Sequence, residues 1–239
     1  MGREQSSLRR HPDATNVTLS GQGADTVLSL YKNLDGPIVS IHSVKNFTLS
    51  NLVLDGEGKK GPLLEIVGTG VAGVTIRNVT IRNFKGLGIR VTNADGNMNA
   101  PVRFEKVVVE MNDAKGRGIA IVGDSDDPRG GRSYHTQFLG CELRGPFAVA
   151  IAIEQPINSF LFRDCILQKG TNGLLLTAKD TDWRKLQVQK VQFTDIQAAA
   201  IVEGIKPDAI SQIQWQNPVF TNVKTKPTSS GPVPPSKGK

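Results

Sequence analysis

Aromatic side chains make up only 5% of this 239-residue chain, which also has just 2 cysteines and 3 histidines. No apolar run approaches the roughly eighteen residues that a membrane-spanning helix requires, so no direct membrane insertion by this stretch is expected. The first residues, Met1-Gly2-Arg3-Glu4-Gln5-Ser6, are charged and lack the apolar segment of a secretory signal. They fit the loose N-myristoylation pattern, a match short enough to arise by chance. His11, His42 and His135 fall on a tail, a strand and a loop end. Neither a zinc set nor a Ser-His-Asp set can be assembled from them by spacing, and they read as ordinary polar residues.

Positive charge is also scarcer than its total suggests. The net charge is +7, but residues 1–12 contribute +2 and residues 224–239 contribute +4, leaving +1 for the body. A nucleic-acid reader needs a basic stripe on its folded surface with aromatics to stack on bases, so no nucleic-acid partner is expected. The segment Lys226-Pro227-Thr228-Ser229-Ser230-Gly231-Pro232-Val233-Pro234-Pro235 cannot build a core. The chain divides into a basic tail at 1–12, a folded body at 13–224, and a Pro/Ser/Lys-rich tail at 225–239.

What the chain does have is a repeat. Phe47-Thr48-Leu49-Ser50-Asn51-Leu52-Val53-Leu54 and Val74-Thr75-Ile76-Arg77-Asn78-Val79-Thr80-Ile81 share one form: an alternating strand, a turn residue and a second alternating strand. Further copies centre on Lys106, Gly140, Asp164, Lys190 and Asn217, and a degenerate copy opens the series at Gly21. Successive turn residues are 30, 27, 28, 34, 24, 26 and 27 apart, about one coil of a three-stranded solenoid each time. Gly, Asn and Asp tolerate the left-handed backbone that a one-residue bend requires, while Lys106 and Lys190 fit it less well.

Alternation sends Leu49, Ile76, Phe104, Phe138, Phe162, Val188 and Trp215 inward and leaves mostly polar neighbours outside. The expected fold is therefore all-β, a right-handed parallel β-helix of about eight coils and about 35 Å length, with Phe104, Phe138 and Phe162 stacked inside. Cys141 and Cys165 occupy one interior position on successive coils and read as buried, reduced thiols, since in-register parallel side chains match disulfide geometry poorly. A third strand falls at 88–92, 118–122, 150–154 and 173–177. The loops after it, at 93–101, 123–135 and 178–185, vary most in length, which is where function usually sits on a solenoid.

Candidate chemistry is sparse. Gly123-Asp124-Ser125-Asp126-Asp127-Pro128 could bind Ca²⁺ through Asp124, Asp126 and Asp127, or read as a solvated turn-rich loop. Asp180 and Asp182 lie two coils further on. On the third-strand face, Glu65 and Arg90 share an outward position on neighbouring coils, and Thr92 and Glu154 lie on the same face. Glu65 and Arg90 could be an acid and a positioning arginine, or a cross-strand ion pair. Ala120, Ala152 and Leu175 make the rest of that face small and apolar, as in a shallow groove.

With these coils, residues 15–223 resemble the pectate-lyase-like right-handed β-helix superfamily. Asn46-Phe47-Thr48-Leu49-Ser50-Asn51-Leu52-Val53-Leu54-Asp55-Gly56, with VTIRNVTIRNF and CELRGPFAVAIAIE, looks like the β-helix regions C-terminal to bacterial membrane-anchored serine/threonine kinases. That resemblance implies an extracytoplasmic ligand-sensing or cell-surface module. The kinase signatures themselves are missing from the chain. So are the G-H-G and R-I-K motifs of polygalacturonase-like members, and of a lyase's machinery only Arg90 with Glu65 could be pressed into service. The repeat also starts without the usual first coils and cap, as in a fragment whose solenoid ends could self-associate.

The expected function is non-catalytic binding of a polysaccharide or another cell-surface ligand. The alternatives are a polysaccharide lyase or glycoside hydrolase acting on an acidic polysaccharide, and a structural spacer.

Overall fold

The computed structural model describes residues 15–30, 36–68, 70–123, 133–177, 184–203 and 213–227. Every strand pairing among them is parallel, and they form a β-solenoid of about seven turns. Its three sheets each gain one rung per turn. The first carries residues 18–20, 48–50, 75–77, 102–105, 136–139, 160–163, 186–189 and 213–216 in successive register. The second runs from Val27–Ser29 to Val219–Thr221, and the third from Val39–His42 to residues 198–203. Among the described residues the first two sheets have eight rungs and the third has seven, so the eight repeat copies resolve there into seven complete coils and the first two strands of an eighth. Among the described residues no helix is long and apolar enough to cross a membrane.

The bend between first and second sheets falls where the repeat puts it. Asn51, Asn78, Lys106, Gly140, Asp164, Lys190 and Asn217 all have φ between 51° and 61°. Lys106 and Lys190 adopt the left-handed backbone despite their side chains, because the strands on both sides are fixed by pairing with neighbouring coils. Gly21 does not share this conformation, and its coil inserts residues 22–26 before the second strand resumes at Val27. Neighbouring turn residues also bond to each other along the axis: Asn78 Nδ2 donates to Asn51 Oδ1 at 3.0 Å.

The interior is apolar and ordered by register. Phe104, Phe138 and Phe162 stack with ring centroids 4.7 Å apart and planes within 9° of parallel, the spacing that one strand repeat dictates. Seven of the 9 phenylalanines are almost fully buried, so the few aromatics of this chain serve the core. Cys141 and Cys165 are buried free thiols whose Sγ atoms each donate to a backbone carbonyl at 3.4 Å. Hydrogen bonding to Cys165 and burial hold the Cys141 thiol well above its ordinary pKa. The core opens towards the ends, where Leu19 is 42% exposed and Trp215 and Phe220 are half-buried.

Candidate binding face

Strand alternation places two rows of side chains on the outer surface of the third sheet. Ser40, Glu65 and Arg90 occupy one row, and His42, Val67 and Thr92 the next. Ile41, Ile66, Ile89 and Val91 point into the core and are buried, which locks the rows outward. Arg90 Nη1 lies 3.4 Å from Glu65 Oε1, so the expected cross-strand ion pair is present.

Ser40 and His42 extend this cluster, and their significance was missed in reading the histidines one by one. The signal was available, because residues two apart on a strand share a face. Ser40 Oγ lies 2.5 Å from His42 Nε2 and donates to Glu65 Oε2 at 3.4 Å. Ser40 Oγ therefore links His42 and Glu65 in one polar cluster, the shorter contact being the one to His42. Glu65 touches the hydroxyl rather than the far side of the ring, so it does not orient the imidazole as a triad acid does. What the cluster offers is a row of donors and acceptors at the surface.

Thr92 lies in the His42 row, half-buried between Val67 and Val122. Glu154 is not brought to Glu65 and Arg90; its carboxylate instead meets the Arg117 guanidinium. Arg117 opens its strand and Glu154 follows the end of the next, so their ion pair ties the two coils together. Ala120 and Ala152 sit in those two strands and are 2% and 0% exposed. The small apolar floor expected there is therefore covered.

Beside this face, at the corner between second and third sheets, lies a depression of about 440 Å³. Lys60, Lys85, Arg90, Lys115 and Arg117 line it, and Asp113 is its one acid among the described residues. Asp113 accepts backbone N–H groups from Lys115 at 3.0 Å and Gly86 at 3.1 Å, which hold its carboxyl below the usual range. Gly61 and Gly86, with φ of 115° and 80°, let the chain turn sharply after Lys60 and Lys85. The sequence does mark this site, as a Lys-Gly pair repeated at 60–61, 85–86 and 115–116 just before each third strand. A whole-chain charge sum hides it, since acids elsewhere on the body cancel it arithmetically without touching it.

Asp124, Asp126 and Asp127, with the calcium site they suggested, lie outside the described residues, as do Asp180 and Asp182. Among the described residues no three His, Cys, Asp or Glu side chains gather as a metal site. The chain was compared with protein-family models, curated proteins and solved structures, and none of them matches it.

Proposed function

We propose that this chain is a non-catalytic β-solenoid module that binds a carbohydrate or another cell-surface ligand on the outer face of its third sheet and the corner beside it. It would serve as the extracytoplasmic sensing part of a larger protein, such as a bacterial serine/threonine kinase. The observation that carries this reading is the Ser40, His42, Glu65 and Arg90 cluster. Its polar groups are aligned by strand register on a rigid scaffold, and Glu65 meets the Ser40 hydroxyl and Arg90 rather than the far side of the imidazole, as suits binding rather than nucleophilic attack. The continuity of this face with the basic depression through Arg90 supports it further. Calorimetric titration of the purified chain with neutral and acidic polysaccharides is the direct test. Saturable binding weakened by Arg90→Ala is expected, and no binding to any of them would overturn the reading.

A second reading, a polysaccharide lyase, is favoured by one observation: the same cluster brings a carboxylate, an imidazole and a guanidinium within reach of one point. It predicts unsaturated products absorbing in the ultraviolet from acidic polysaccharides, lost in Arg90→Ala. Absence of such products with and without Ca²⁺ would remove it.

A further inference from the structure

The three lysines of the corner form a column. Lys60 and Lys85 are direct strand partners, and the pairing of Leu87 with Arg117 sets Lys115 alongside Lys85 on the next coil. Three like charges thus stack on successive coils about 4.8 Å apart. Like charges directly opposite each other on neighbouring strands repel, and a fold gains nothing by repeating that arrangement three times. All three side chains are exposed, and none forms an ion pair with another described residue. Asp113 is the nearest compensation, and its oxygens are already engaged by two backbone amides.

The surface continues along the same corner. A second depression of about 340 Å³ begins at Ala114, next to Asp113 and Lys115, and carries Lys169 and Lys224. Its one acid among the described residues is Asp195, which accepts from Asn222 Nδ2 at 2.9 Å. The cations therefore follow the solenoid axis across coils rather than clustering around a point, so they match an elongated polyanion better than a single small anion.

We propose that this corner binds an acidic glycan lying along the solenoid axis, with successive anionic groups of the sugar chain facing Lys60, Lys85 and Lys115. The proposal rests on the ligand-binding reading above and gives it a charge class and a direction. The anionic group can be a uronate carboxylate or a phosphate ester, since both present the same charge to an ammonium group. Arg90 and Arg117 supply donors at the edge of the groove, where it meets the third-sheet face.

The test is calorimetric titration of the full chain with a linear oligouronate, a phosphate-bridged sugar oligomer, a neutral glucan oligomer, and a single-stranded oligonucleotide of equal charge. The same titrations are run on the Lys60→Gln/Lys85→Gln/Lys115→Gln variant. These lysines are exposed, and unchanged thermal unfolding of the variant confirms its fold. At least one acidic glycan is expected to bind, about tenfold more weakly in the variant and about tenfold more weakly when cut to a single residue, with affinity falling as salt rises. Binding by one acidic glycan but not the other identifies the anionic group. Neutral glucan binding unaffected by the variant would overturn the polyanion while leaving the ligand-binding reading standing. Oligonucleotide binding as tight as that of the glycans would overturn the glycan assignment, and no binding by any probe would overturn both.

Discussion

Asp55 sits where the register of its strand with the next coil shifts, with its side chain 12% exposed, yet it stays ionised. Burial raises its pKa, but the Glu57 N–H, the Asn83 amide and the Arg82 guanidinium all donate to it and together hold it below the usual carboxylate range. Replacing it with Ala strands those donors, and a loss of about 1–3 kcal/mol is expected from the urea midpoint. An Asp55→Ala change that left the midpoint in place would show these bonds to be ornamental. Glu142 is lowered in the same direction by Arg144 and Gln168. Such carboxylates contribute stability above their unfolded pKa, near 4, and lose it as the pH falls through their lower folded values. His135 adds an earlier step, because burial lowers its pKa. Its neutral form stabilises the fold fully above about pH 6.5, and that contribution falls as acid drives protonation. Thermal unfolding should therefore weaken first below about pH 6.5 and again below about pH 4, and His135→Asn should remove only the first step.

Elements were the most legible level of this protein. Period-two alternation and a turn residue every 24 to 34 residues specify paired parallel strands, because any other register would expose Leu49, Ile76 and Phe104. The Phe stack followed for the same reason. Two things were less legible. Gly21 looked like another turn residue, yet residues 22–26, standing where the next coil has only Leu52, change the backbone there. Ala120 and Ala152 looked exposed, since alternation tells which way a side chain points and not what lies over it. The turn column yields its own prediction. Lys106 holds φ 52°, so Lys106→Asn should stabilise the protein by about 0.5–1 kcal/mol in urea unfolding. A neutral or destabilising result would mean the lysine stem packs usefully on the turn. In the core, Phe138→Ala removes the middle ring of a three-ring stack and should cost about 3–5 kcal/mol.

The whole molecule is a stack in which each coil is stabilised by its neighbours, so position along the axis matters. Leu19 shares the inward register of Leu49 but sits in the first coil at 42% exposure, against 0% for Leu49. Amides of residues 18–20 should accordingly exchange with solvent faster than those of 102–105 and 136–139, which are paired on both sides. Uniform protection along the axis would contradict this. Charge follows the axis too. The body is nearly neutral in sum, but Lys60, Lys85 and Lys115 are set apart at one corner with Asp113 beside them, and the Ser40, His42, Glu65 and Arg90 cluster lies on the adjoining face. The coils could be counted from residues alone and the repeated Lys-Gly pair could be seen there too, but strand register was needed to set Lys60, Lys85 and Lys115 side by side. The central claim is that this corner and face form one binding surface. Titrating the ¹⁵N-labelled chain with a linear acidic oligosaccharide while following its backbone amides tests that claim most directly. The account predicts shifts concentrated at residues 60–67, 85–92 and 113–120, with the first and second sheets unmoved; shifts confined to those sheets, or none at saturating ligand, would contradict it.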